Sequence, residues 1–267
     1  MKDTFTFSRF GKYFTYDLKR TIAEFGMPAL LISLSGVFFY LLYLVFSMML
    51  NQGHTSAPSE GIREGFFMFV FAIFAIVMPS RIYGMVTDKR SGSSYLMIPA
   101  STGEKFTSMI LNAAIVFPIA FLAIYWLSDA LLTLIDTRCG SPVNIFLTEL
   151  IDDDLSIPTG SKIQSDAGAK FLWQITIMLG FIATPLEFLL GALVFDKHKI
   201  SMTVLCLIGL SIILSIISIP IALNLDYEKI IDNFSLKGFF WSLLFMQLAV
   251  DIVIGLLCWL RLKTIKH

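Results

Sequence analysis

The chain has 267 residues, 56% of them hydrophobic and only 15% charged, with a mean hydropathy of +0.78 and a formal net charge of zero. Such a composition excludes an ordinary soluble domain, in which about a quarter of the residues carry charge. The zero balance supplies no basic field for nucleic acid.

Apolar runs of about 20 residues recur, each long enough to cross a hydrocarbon layer of roughly 30 Å. Helices satisfy their own backbone polar groups in lipid, so the predicted fold class is all-α, a polytopic helical membrane protein. The runs predict six spans in a single transmembrane domain over 1–267, at about 28–50, 63–80, 103–133, 171–195, 200–223 and 238–260.

Residues 1–27 lack the apolar core and small-residue cleavage site of a signal peptide, so the first span is expected to stay in the mature protein. In this segment Phe7, Phe10, Phe14, Leu18, Ile22 and Phe25 recur at intervals of three or four, with Arg9, Lys12, Lys19 and Arg20 off that stripe. The pattern predicts an amphipathic helix at the cytoplasmic interface, its apolar side turned to the bilayer; packing on a soluble partner is the other reading. The second span is short before Pro79. The third, at 31 residues and roughly 46 Å, should project beyond the hydrocarbon core.

Lysine and arginine set the expected orientation. Fourteen lie on one side, in the N-terminal segment, the 81–106 loop, the 196–199 turn and the C-terminus. Six lie on the other: Arg63, Arg138, Lys162, Lys170, Lys229 and Lys237. Both termini are therefore expected in the cytoplasm, with 136–170 and 224–237 outside. In the 136–170 loop the apolar island "VNIFLTEL" predicts a helical piece within a small cap.

The 81–106 loop is not a plain connector. Ser101 and Glu104 form the Ser-x-x-Glu pattern of a capping box, which starts a helix that runs into the third span. Pro99 separates that helix from a short apolar turn of Tyr95, Leu96, Met97 and Ile98, and Gly92 with Ser93 breaks the chain before it. A stub of this kind on the cytoplasmic side needs a surface to bury against.

The order Arg90, Gly92, Ser93, Leu96, Pro99, Ser101, Glu104, followed by a long span, resembles the permease subunits of type-2 ABC exporters. In that family an acidic residue often precedes the basic one directly; here Asp88 stands two before Arg90. The resemblance implies that Arg90, Gly92, Ser93, Tyr95, Leu96, Met97, Ile98 and Pro99 couple to an ATP-binding partner subunit. It also implies pairing with a second permease copy or a homologous permease, and alternating access in a bacterial-type inner membrane. No Gly-x-x-x-x-Gly-Lys-[Ser/Thr] occurs in the chain. No cofactor or metal is expected here, and ATP hydrolysis is assigned to the partner, so the chain itself reads as no enzyme.

Two carboxylates, Glu187 and Asp251, fall near the middle of the fourth and sixth spans, where insertion costs on the order of 2.5–3.5 kcal/mol each. Apart from Arg63 and Lys105 at span ends, no lysine or arginine lies inside the predicted spans, and Gln247 and Asn112 are the expected hydrogen-bond partners. The pair reads either as the lining of a substrate path or dimer contact, or as neutral acids satisfied by neighbours. Asp129, at the outer end of the third span, is expected at the interface. Ser211, Ser215 and Ser218 mark one face of the fifth span as a close-packing stripe. His54, His198 and His267 lie outside the spans, which argues against haem anchoring and intramembrane zinc chemistry. Cys139, Cys206 and Cys258 show neither disulfide nor metal spacing. The leading expectation is an exporter permease; the other is a non-transporting membrane component such as an immunity, scaffold or sensor subunit.

Overall fold

The computed structural model describes residues 5–50, 54–88, 92, 95, 97–145, 155–156, 162–163, 167–223 and 236–264. Eight α-helices carry the chain among these: α1 (Phe7–Ser33), α2 (Ser35–Leu50), α3 (Glu60–Ile82), α4 (Thr102–Ile110), α5 (Phe117–Ile135), α6 (Ala167–Val194), α7 (Lys199–Leu223) and α8 (Leu236–Thr264). Taken as continuous rods, with α1 running into α2 and α4 into α5, they give six helical stretches long and apolar enough to cross a membrane. The protein is a multi-pass, all-α membrane protein.

Several boundaries differ from the sequence expectation. α1 runs through Pro28 to Ser33 instead of stopping at residue 27, and the chain turns at Leu34. A proline costs a helix one hydrogen bond, which continuation on either side can absorb. Between α4 and α5 lies a π-helical segment, Leu111–Val116, in which the Phe117 N–H reaches back five residues to the Asn112 carbonyl. Pro118 follows at the start of α5. It has no N–H for the carbonyl four residues back, so a change of register beside it loses little. In the 136–170 loop the described parts include a 3-10 turn at Thr137–Cys139 and a two-residue antiparallel ladder, β1 (Leu155–Ser156) with β2 (Lys162–Ile163). Most of the island expected to be helical, and nearly all of 224–237, lies outside the described residues.

The core is aromatic. Phe67, Phe71 and Phe74, spaced four and three apart on α3, meet Phe121 and Tyr125 of α5 and Phe181 of α6, with Phe71 and Phe181 in an edge-on contact at 4.5 Å. Edge-to-face and offset pairs of this kind add about 0.5–1.5 kcal/mol beyond burial. α8 packs chiefly on α6, and α7 leans on α6 and α3. At the α6–α7 crossing, a Cβ on Gly191 would fall within 2.7 Å of Thr203 Cβ and Cγ2, so only glycine permits this approach.

Outward, α2, α7 and α8 present large apolar side chains such as Phe38, Leu205, Ile213 and Leu256. A hydrocarbon surrounding accounts for that surface, since lipid tails solvate such groups. Ser211 and Ser215, expected to form a close-packing stripe, are exposed on α7 and donate to their own helix carbonyls at Ile208 and Ser211. The Ser218 side chain lies outside the described residues.

The two ends of the bundle are tied by polar groups. At one end Arg63 Nη1 grips both oxygens of Asp129 at 2.8 and 2.7 Å, and its Nη2 donates to the carbonyls of Cys139 and Ser141. The Val143 N–H completes the Asp129 carboxylate at 2.7 Å. Asp129 is therefore buried within the protein at the end of the bundle, where Arg63 of α3 neutralises it. At the other end, the free carbonyls closing α6 find donors: Thr87 Oγ1 reaches Ala192, and Arg261 Nε reaches Leu193 at 3.0 Å. Lys199 Nζ donates to the Gly84 carbonyl and pairs with Asp88 at 2.9 Å.

Candidate functional site

The loop that drew attention in the sequence joins a buried polar hub. Its centre is α1. The buried residues of that helix are Tyr13, Asp17, Thr21, Phe25 and Ser33, four apart from 13 to 25. Phe7 and Ile22 of the apolar stripe are exposed, and Phe10, Phe14 and Leu18 are half-buried. The helix thus turns Tyr13, Asp17, Thr21 and Phe25 inward and leaves Phe7 and Ile22 of the apolar stripe outward. The outward turn is partial, since Phe25 at the end of the stripe is buried in the core and Leu18 packs against it. The polar face carries what the sequence did not single out.

Asp17 is fully buried, and its Oδ2 accepts from Tyr83 Oη at 3.0 Å, Ser108 Oγ at 2.7 Å and Asn112 Nδ2 at 3.1 Å. Arg20 Nη2 sits 3.0 Å from Asp17 Oδ1, a charge contact without the direction of a hydrogen bond. One carboxylate therefore holds α1, the end of α3, α4 and the π-helical segment together. A fully buried carboxylate without such partners would be very costly.

The loop plugs into this hub through Tyr95. Its ring is 2% exposed, with Arg20 at 5.6 Å and Lys105 at 5.3 Å from the ring centroid. Lys105 Nζ also donates to the Tyr95 carbonyl at 3.0 Å, and Tyr13 Oη donates to Tyr95 Oη at 3.1 Å. Burial pushes the Tyr95 phenol well above its ordinary range. It therefore remains a neutral hydroxyl, which can lie beside Asp17 without adding charge. A cation over an aromatic ring contributes about 0.5–2 kcal/mol.

The capping box forms as expected: Glu104 N–H donates to Ser101 Oγ at 3.2 Å, and Ser101 N–H to Glu104 Oε2 at 2.9 Å. It also does more. Arg9 Nε donates to both Glu104 oxygens, at 3.0 and 2.8 Å, and the Thr6 N–H to Oε1 at 3.0 Å. Glu104 is fully buried and clamps the start of α1 onto the start of α4.

The predicted coupling residues thus divide. Tyr95 points inward and cannot itself touch a partner. Met97 is 82% exposed, Ile98 packs partly against the core, and Gly92 is buried with its N–H on the Asp88 carbonyl at 2.8 Å. Gly92, Tyr95 and Met97 have helical backbone, and Pro99 closes the turn. Arg90, Ser93 and Leu96 lie outside the described residues. Asp88, displaced from its place in the resembled pattern, pairs with Lys199.

Glu187 and Asp251 sit on the packed α6 and α8, half-buried. Gln247 Nε2 donates to Asp251 Oδ1 at 3.3 Å, one turn away, as expected. Asn112 serves Asp17, not either of these acids. Among the described residues no group of three or more His, Cys, Asp or Glu is placed to hold a metal ion.

No family model, curated protein or solved structure matches the chain. Fold and composition define its class, a multi-pass helical membrane protein. Anything finer rests on the hub and the loop it holds.

Proposed function

We propose that the chain is the membrane-spanning permease subunit of an ATP-driven exporter of the ABC type, working with separate ATP-binding subunits and a second copy of itself or a similar permease. The observation that carries this reading is the contrast within one loop. Tyr95 is locked inside between Arg20 and Lys105, while Met97, two residues on, is 82% exposed. A slack connector would leave both in solvent. A loop that receives force from a partner needs an internal anchor, or the force dissipates in the loop. Here displacement of Tyr95 drags α1 through Tyr13 and Arg20, and α4 through Lys105. From α4 the motion enters α5, across the π-helical segment. Nucleotide-driven closure of the partner would in this way reorient the spans about Asp17.

The orientation that fits has both termini, the 81–106 loop and the 196–199 turn in the cytoplasm of a bacterial-type inner membrane, following the fourteen-to-six division of cations. Labelling in intact cells checks it, with Cys139, Cys206 and Cys258 first replaced. An impermeant thiol reagent should modify Thr137→Cys and spare Lys197→Cys, both at exposed positions. The reverse pattern removes the loop from the cytoplasm and ends the exporter reading.

The direct test is Met97→Asp. Met97 is exposed, so the substitution should leave insertion and thermal stability intact. Purified complex should lose its ATPase subunit, or retain it with ATP hydrolysis no longer responsive to the permease. Wild-type behaviour in both assays would refute the coupling role and favour a non-transporting membrane component.

A further inference from the structure

Where α3 ends and α7 begins, Ser80, Arg81, His198, Lys199 and Ser201 line a cavity of about 260 Å³. A second cavity of about 390 Å³ lies between α1 and α3, walled by Phe25, Pro28, Ile32, Val77 and Ile82, with Glu24 at its edge. Arg81 lines both. A cationic recess and an apolar cleft thus meet at one guanidinium.

We infer that this pair of cavities binds an anionic phospholipid, its phosphate in the recess and an acyl chain along the α1–α3 cleft. The chemistry of the recess is that of an anion site. Arg81 makes no ion pair among the described residues, leaving its charge uncompensated at the last turn of α3. The first intrahelical bond of α7 runs from Met202 N–H to the His198 carbonyl, so the amides of Lys199, Ile200 and Ser201 precede the helical ladder. Those amides, with the positive end of the helix dipole, favour a phosphate. Ser80 also lines the recess, although its Oγ is itself closed to solvent. His198 offers a ring N–H in either protonation state. Two acids stand nearby: Asp88 is engaged by Lys199, and Glu24 lies 3.9 Å from Arg20.

The apolar cleft decides between a lipid and a free ion. Inorganic phosphate has no use for Phe25, Pro28, Ile32 and Val77, whereas a chain leaving a phosphate at Arg81 would run directly along them. Depth agrees as well. The 23 residues of α3 rise about 34 Å, so Arg81 in its last turn stands at the headgroup level of the bilayer. This assignment is independent of the exporter reading and of which leaflet is concerned.

The test uses the full chain purified in detergent, titrated with phosphatidylglycerol or phosphatidylcholine, with bound lipid read by native mass spectrometry. Phosphatidylglycerol should be retained in preference to phosphatidylcholine. Arg81→Gln should lower phosphatidylglycerol retention about tenfold, the loss expected for a charge-assisted contact, and leave phosphatidylcholine unchanged. Arg81→Lys should keep most of the binding. Val77→Trp, which fills the cleft, should also weaken it, with circular dichroism confirming the fold of each variant. Equal retention of the two lipids overturns the inference, as does an Arg81→Gln protein that binds like wild type. If millimolar inorganic phosphate displaces the lipid and Val77→Trp has no effect, the recess is a free-phosphate site and the lipid assignment is wrong.

Discussion

Removing the Asp17 carboxylate tests whether the hub is what joins α1 to the rest of the bundle. Asp17→Ala leaves Tyr83 Oη, Ser108 Oγ and Asn112 Nδ2 without their acceptor, and Arg20 without its counter-charge. Each buried donor left unmade costs about 1–3 kcal/mol, and a buried charge deprived of its partner about 3–5 kcal/mol. These terms come to at least about 6 kcal/mol; hydroxyl rotation, entry of water and the Glu24 carboxylate 3.9 Å from Arg20 recover part of it, so about 4 kcal/mol is the expected loss. At about 2–4 °C per kcal/mol for a chain of this size, melting should fall by roughly 10 °C. Asp17→Asn keeps one acceptor oxygen but not the charge, and should fall about half as far. Thr21→Ala is the comparator: its buried hydroxyl bonds only the Asp17 carbonyl of its own helix, so its loss should cost about 1 kcal/mol. The assay is unfolding followed by tryptophan fluorescence in one detergent at a fixed scan rate, because unfolding of such proteins is often irreversible. If Asp17→Ala melts with Thr21→Ala, the carboxylate is not the common acceptor and the hub does not exist as described.

Gly191→Ala should drive the α6 and α7 backbones apart and cost about 1–3 kcal/mol, with Thr203→Gly restoring part of the loss; purely additive melting shifts would show that the two residues do not meet. Beside the Thr137–Cys139 turn, the Arg138 guanidinium and then the Tyr40 hydroxyl hold the Asp136 carboxyl well below the usual range. A depressed carboxyl stabilises the fold above its unfolded value of about 3.9 and loses that contribution as pH falls toward the folded value. Tyr40→Phe should therefore melt below wild type at neutral pH, with the gap narrowing below about pH 4. A gap independent of pH would mean that the Tyr40 hydroxyl does not serve the carboxylate.

How much of this was legible beforehand depends on the distance over which each feature is decided. The capping box at Ser101 and Glu104 is a local device, readable three residues apart, and it forms. The arrival of Arg9 at the same carboxylate spans 95 residues, and no local pattern announces it. The helix face of α1 was readable as amphipathic, since periodicity is a property of one segment. Which residues on its polar side would be buried was not. In water an aspartate beside lysines reads as solvated, but in a bilayer the protein interior is the polar refuge and lipid takes the phenylalanines.

The same division holds along the chain. Segment length and hydropathy by themselves determined that this is an all-α membrane protein and where its long helices run, because a bilayer imposes its thickness and its demand for paired backbone groups on every segment separately. Only the tertiary structure decided which charges meet. Asp129 finds Arg63 across 66 residues, Asp17 collects Tyr83, Ser108 and Asn112, and Tyr95 turns inward while Met97 turns out. The cost of a buried charge depends on its partner, and the partner is set by how helices far apart in sequence pack against each other.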